Sequence, residues 1–186
     1  MRYDIKNTVE PIRNRMHIFA VENYLKNKNY RNMMIWVFGI NTGLRISDIL
    51  GLNVGDVRNE SCVKLKEKKT GKLKQFPLNR KLKNLLKDFI KDRPDDEPLF
   101  YSQKMYRLDR SQFYVKLNEA CKAVGVKETC IGTHTMRKTF GYHHYKQFKD
   151  VAILQEIFNH SSPQITLRYI GINQDEINKS YQQFEL

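Results

Sequence analysis

The 186-residue sequence predicts a mainly α-helical domain with one small antiparallel β-hairpin or sheet, an α+β fold. Apolar residues recur at helical spacing in several stretches, each bounded by polar residues that can cap a helix. One short stretch alternates with a period of two and carries turn chemistry at its middle. Internal repeats and low-complexity segments are absent, and the length suits one domain with a substantial core.

Residues 1–10 are polar and read as a tail or linker remnant. The domain is expected over 11–172, with a short docking helix over 173–186. From Pro11 to Leu25, the set Ile12, Met16, Phe19, Ala20 and Tyr24 follows a helical face. Asn32 to Asn41 is apolar nearly all round (Met33, Met34, Ile35, Trp36, Val37, Phe38, Ile40), which predicts a central core helix. Thr42-Gly43 ends it. Ser47 is then the expected N-cap of the next helix, with Asp48 in its first turn. Arg45 falls in the turn between the two helices, where pairing with Asp48 is the plain structural reading.

Val63 and Leu65 alternate with Lys64 and Lys66, and Leu73, Phe76 and Leu78 follow after Thr70-Gly71. Cys62 to Leu78 is therefore expected to be a hairpin, with Lys68, Lys69 and Lys72 at its tip. Helices are expected at about Leu82–Lys91 and Arg110–Val124, the second burying Phe113, Leu117, Ala120, Cys121 and Val124. Pro94-Asp95-Asp96-Glu97-Pro98 between them reads as a loop inside one domain.

The stretch from Gly132 to Tyr169 places polar chemistry at helix ends. With Thr133 as N-cap, His134 opens a helix and Arg137 lies on the same side one turn later. A second helix over Asp150–Phe158 has Val151, Ile153, Leu154, Ile157 and Phe158 as its buried stripe. Asn159 stands where a left-handed residue ends the helix, and His160 follows. Ser162-Pro163 is an N-cap and first-turn proline, opening a third helix that carries Tyr169.

The formal net charge is +13, and it is concentrated. Residues 61–93 hold 12 basic and 3 acidic groups, whereas residues 94–186 hold 12 and 11. Such a block suits a polyanion, and nucleic acid fits it better than a membrane, since no helix with a wide apolar face accompanies it. Cys62, Cys121 and Cys130 are an odd set without a CxxC pair. They read as reduced thiols of a cytoplasmic protein rather than a zinc site. No signal peptide or membrane-length apolar run is present.

Taken in order, Thr42-Gly43-Leu44-Arg45-Ile46-Ser47-Asp48, the lysine-tipped hairpin, His134-x-x-Arg137, His160 and Tyr169 closely resemble the catalytic domain of the tyrosine recombinases, the phage-integrase family. The resemblance runs from about Pro11 to the C-terminus. It implies a tyrosine recombinase catalytic-domain fold. Arg45, Lys69, His134, Arg137, His160 and Tyr169 take the catalytic roles, and Asp48 supports Arg45. Lys68, Lys72, Lys74 and Lys138 are assigned to DNA binding. Phe158-Asn159-His160 departs from the usual Leu-Gly-His, and Asn tolerates the left-handed conformation. The family also carries an N-terminal helical DNA clamp, and nothing before Pro11 could form one.

The chemistry can be stated from the residues. Two arginines offer planar forks to a phosphate whose charge grows in the transition state. Tyr169 can attack phosphorus and conserve the bond as a phosphotyrosine, so no ATP is needed. His134 is the candidate proton acceptor, His160 a phosphate contact, and Lys69 the donor to the leaving 5′ oxygen, with a neighbouring lysine as the alternative. No metal and no cofactor is expected. His143-His144 is a poor metal pair, because adjacent helical residues face different ways.

A DNA recombinase or integrase is thus the leading expectation. A type IB topoisomerase or a non-catalytic DNA-binding regulator are the alternatives. Expected partners are double-stranded DNA, other protomers and a separate N-terminal clamping domain. The location is cytoplasmic, with bacterial or phage nucleoid DNA. In the tail, Asn173-x-x-Glu176 resembles a capping box, and Ile177, Tyr181 and Phe184 form one narrow apolar face. That face is expected to dock in cis in the free monomer and to exchange between protomers on DNA.

Overall fold

The computed structural model of the chain describes residues 9–59, 62–126 and 131–185. Most of the expected N-terminal tail, Cys130 and the last residue, Leu186, lie outside them. The order is α1 (Arg15–Lys28), α2 (Tyr30–Thr42), α3 (Ile46–Ile49), β1 (Cys62–Lys66), β2 (Leu73–Pro77), α4 (Arg80–Phe89), α5 (Arg110–Ala123), α6 (Thr135–Phe148), α7 (Val151–Phe158), α8 (Pro163–Tyr169) and α9 (Ile172–Gln183).

Local chemistry sets these helix starts. The side chains of Asn14, Asn29, Asn79, Asp109, Asp150 and Ser162 each accept from a first-turn amide of the helix that follows. Each such cap contributes about 1 kcal/mol. Helix α2 is the core element, with Asn32 to Gly39 buried without a break. It packs against α1, α3, α4 and α6. Gly43 ends α2 at φ +63°, and the Phe140 ring fills the space where a Cβ would stand.

Strands β1 and β2 pair antiparallel, with Val63 opposite Phe76 and Lys66 opposite Leu73. Val63 is buried, and Leu65 and Phe76 pack against the core beside it. The 94–98 loop is fastened rather than loose. Val54 N–H donates to Glu97 O and Leu99 N–H to Leu52 O, at 2.9 and 2.8 Å.

Buried apolar residues fall into two clusters. The larger gathers α1 to α5 with Met136 of α6. The smaller joins Tyr142, Leu154, Phe158, Ile170 and Ile172, with Leu167 and Tyr169 packed on it. Gly141 allows the second cluster to close. A Cβ there would lie 2.6 Å from Ile170 and 2.7 Å from the Phe158 ring.

Several expected details are corrected. Met16 and Phe19 are exposed, because α1 turns Val21 and Leu25 inward. Leu73 at the hairpin end and Ile153 on α7 are exposed as well. Arg45, not Ser47, is the N-cap of α3, which is only four residues long. Asp150 caps α7 from outside it, and Val124 is the C-cap of α5. Helix α6 starts later than expected: His134 is its N-cap, and Thr133 lies in the preceding turn. Helix α9 starts at Ile172 behind Gly171 (φ +80°), with no side-chain cap, so Asn173-x-x-Glu176 is not a capping box.

Candidate active site

Arg45, Lys69, His134, Arg137, His160 and Tyr169 all line one open cleft of about 380 Å³. The turn after α2 delivers Arg45, the hairpin Lys69, the start of α6 His134 and Arg137, the end of α7 His160, and the last residue of α8 Tyr169.

Arg137 is buried at 2% exposure, and its charge there needs partners. Nη1 donates to Gly43 O at 2.5 Å and Nη2 to Phe158 O at 2.8 Å. The guanidinium also lies over the Phe158 ring, 4.2 Å from its centroid. It thus fastens the end of α2 to the end of α7. Arg45 is held by two carboxylates. Its Nη1 lies 2.9 Å from Glu67 Oε1, a charge contact poorly aligned as a hydrogen bond, and 3.9 Å from Asp48 Oδ2.

Helix α7 ends in a Schellman motif. His160 N–H donates to Gln155 O and Asn159 N–H to Glu156 O, each at 3.0 Å, with Asn159 left-handed at φ 52°. That turn aims His160 into the cleft. Its Nδ1 meets the Thr166 hydroxyl at 3.0 Å. Burial, then Arg137 and Arg45, push the imidazole down to about 4, so it is neutral at pH 7.

The Tyr169 ring stands edge-on to both His134 and His160. Its hydroxyl lies 3.3 Å from His134 Nδ1. Burial raises the phenol above its ordinary value and outweighs the lowering by Arg137 and Arg45. His134 is lowered, first by burial and then by Arg137, Lys138, Lys69 and Arg45. A neutral imidazole therefore faces a protonated phenol.

The four lysines assigned to DNA binding have different surroundings. The Lys68 stem passes over Gly51, where a Cβ would sit 3.0 Å from its Cε. Lys72 donates to Asn159 Oδ1 at 3.0 Å and Lys74 to Ile157 O at 2.6 Å, so both grip the end of α7. Burial, then Arg137, lowers Lys74 to about 8, with Arg45 adding to the fall and Glu67 and Asp48 opposing it. Lys138 is buried, with its ammonium 5.0 Å from the Tyr169 ring centroid. His143 and His144 diverge: His143 Nε2 meets Ile12 O at 3.0 Å, while His144 lies against Phe140 and Phe148.

Two participants escaped sequence reasoning. Glu67 is the lone acid within a lysine run, and that isolation is the signal that could have singled it out. Thr166 carries no signal, because its role depends on the turn that brings His160 back over α8.

The sequence of residues 13–176 matches the Phage integrase family. The chain is 47% identical over 177 residues to the probable integrase/recombinase YoeC of Bacillus subtilis, covering 95% of this chain and 97% of that protein. It is 29% identical over 152 residues to tyrosine recombinase XerC of Thermodesulfovibrio yellowstonii, covering 75% of this chain and 50% of that one. The chain thus spans nearly all of YoeC but about half of this Xer recombinase. Among solved structures, XerA recombinase superposes with a TM-score of 0.74 at 21% identity, covering 98% of this chain and 68% of that one. A lambda integrase dimer bound to a COC′ core site gives 0.75 at 14% identity, over 92% and 50%. At these identities the structural likeness establishes the fold.

Proposed function

The chain belongs to the phage integrase family, and on that premise we propose that it is a site-specific DNA recombinase acting through a covalent 3′-phosphotyrosine. The observation that carries this reading is the convergence of Tyr169, two arginines, two histidines and a lysine on one cleft. Arg45 and Arg137 hold the scissile phosphate and stabilise its developing charge. The Tyr169 oxygen attacks phosphorus and gives its proton to His134. The phosphorus–O5′ bond breaks, and O5′ takes a proton from Lys69. His160 adds a polar contact to the phosphate, and Asp48 holds Arg45. Reversal with a new 5′ hydroxyl rejoins the strand.

Double-stranded DNA is the proposed substrate, in the cytoplasm with bacterial or phage DNA. Lys68, Lys72, Lys74 and Lys138 supply positive charge around the bound strand. One cleft contacts one side of a duplex, so a separate clamping domain suits the opposite side. The exposed face of α9 favours assembly with other protomers over a topoisomerase working alone on one duplex.

The test uses a pool of nicked duplexes randomised across the central base pairs, from which covalent protein–DNA adducts are captured in detergent. The parent should be trapped and the retained sequences should converge. Tyr169→Phe should give no adduct while its DNA affinity stays within a few-fold. An adduct formed by the Phe variant would overturn the assignment of the nucleophile. No adduct from the parent with any duplex would overturn the enzymatic reading.

A further inference from the structure

Lys69 lies at the tip of a six-residue turn, residues 67–72, where a long flexible side chain would ordinarily wander. Its place in the cleft therefore needs an explanation in the turn. The turn closes with Glu67 N–H donating to Lys72 O at 2.9 Å and Gly71 N–H donating to Glu67 O at 2.8 Å. Two carboxylates fix the residues on either side of Lys69. On one side, Lys68 N–H donates to Asp48 Oδ1 at 2.9 Å. On the other, the Thr70 hydroxyl donates to Glu67 Oε2 at 2.7 Å.

The same two carboxylates flank Arg45. The Glu67 carboxylate is divided between tasks, with Oε1 on the Arg45 guanidinium and Oε2 on Thr70. It is 3% exposed. Burial alone would raise this carboxyl, but the Thr70 hydroxyl and Arg45 outweigh it and hold it below its ordinary value. A buried anion with an ion contact on one oxygen and a hydrogen bond on the other joins the turn to Arg45.

We infer that Glu67 is a positioning residue that locks the lysine turn to the first arginine, so that Lys69 and Arg45 meet the scissile phosphate as one unit. Glu67 is not among the residues that line the cleft. It acts through Thr70 on the backbone that carries Lys69, and directly on Arg45. The inference rests on the proposed role of Lys69 as proton donor.

The test uses a nicked duplex of the sequence captured from the pool, prepared with oxygen or with bridging sulfur at the scissile 5′ position. Sulfur leaves with little need of protonation, so a defect in proton donation disappears on that substrate. Thr70→Val, a change in the exposed turn, removes one arm of the connection and leaves the Arg45 contact. It should slow cleavage of the oxygen substrate by about tenfold and run within about threefold of the parent on sulfur. Thr70→Ser, which keeps the hydroxyl, should match the parent on both. Glu67→Ala should be slower still on oxygen and only partly restored by sulfur, because Arg45 loses its partner too. Thr70→Val at parental speed on oxygen, or equally slow on both substrates, overturns the inference. Lys69→Ala is the control for the underlying role. If it recovers on sulfur while Thr70→Val does not, the inference alone fails; if it does not recover, the proton-donor role fails and takes the inference with it.

Discussion

The Tyr169 hydroxyl and Nδ1 of His134 lie 3.3 Å apart at the meeting of α8 with the start of α6. The contact is slightly longer than a good hydrogen bond and is open enough to shorten when a phosphate enters. On the proposed mechanism it pairs the group that loses a proton with a neutral imidazole able to take one.

Replacing His134 by Ala should slow adduct formation by about 10²- to 10⁴-fold, the usual range for a lost general base. The pH profile is a second readout. Burial and the neighbouring cations hold His134 below its ordinary value, so the acid limb of the parent's rate should have its midpoint below pH 6.5. The sign is that protonation, favoured by acid, removes the acceptor. Single-turnover rates between pH 5 and 8 check this; an acid limb with its midpoint above pH 6.5 would count against His134 as the base.

Lys74 should give DNA binding an alkaline limb. Its ammonium faces Arg137 and Arg45, with Glu67 and Asp48 opposing them, and it loses its proton at about 8 rather than 10.5. Below pH 8 its charge assists a bound phosphate; as pH rises through 8 that charge goes, and affinity should fall by up to about tenfold per pH unit. Lys74→Arg should abolish the limb, since guanidinium stays charged. Dissociation constants at fixed ionic strength between pH 7 and 9 decide it. For folding the sign is opposite: between about 8 and 10.5 the unfolded chain holds more protons, so stability rises with pH there.

The hairpin should carry a measurable part of the salt dependence. Each phosphate contact contributes about 0.9 to the slope of log affinity against log salt. Lys68→Ala with Lys72→Ala should therefore reduce that slope by about 2. An unchanged slope would place DNA away from the hairpin.

Most helices and the hairpin were legible because they rest on local signals, and the six catalytic candidates were legible as a set through an order and spacing that resemble the tyrosine recombinases. Gly43 and Asn159 needed left-handed backbone, Ser162-Pro163 opened α8, and alternation exposed β1. What was not legible depends on tertiary placement. Met16 and Phe19 fit a helical face as well as Val21 and Leu25 do, and only packing against α2 and α5 chooses between them. Likewise, nothing local distinguishes a lysine reaching toward solvent from Lys74 or Lys138, whose stems run inward to a helix end and an aromatic ring. Glu67 stood out as the lone acid among lysines, but its pairing with Arg45 is made only in the fold.

The tail is held at its root and free beyond it. Ile172 is buried and Arg13 pairs with Asp175 at 3.0 Å, but Ile177, Tyr181 and Phe184 are 49%, 81% and 68% exposed. Among the described residues the expected docking of this face in cis is therefore not seen: the side chains described after Asp175 are exposed. Ile177→Asp with Phe184→Asp should change the melting temperature by less than a few degrees, because little buried area is lost. DNA binding should persist and recombination should fall. A large drop in melting temperature, with assembly on DNA intact, would return the tail to the domain's own core.

The separation of the two apolar clusters divides the cleft between two packing units. Arg45 and Lys69 stand on the larger cluster, His160 and Tyr169 on the smaller, and the Arg137 guanidinium bridges them through Gly43 O and Phe158 O. A small cluster of five buried side chains can open at a lower free energy than the whole domain. Such an opening would part Tyr169 from Arg45 without unfolding the chain. On the proposed mechanism, the fraction of molecules able to cut would follow that equilibrium.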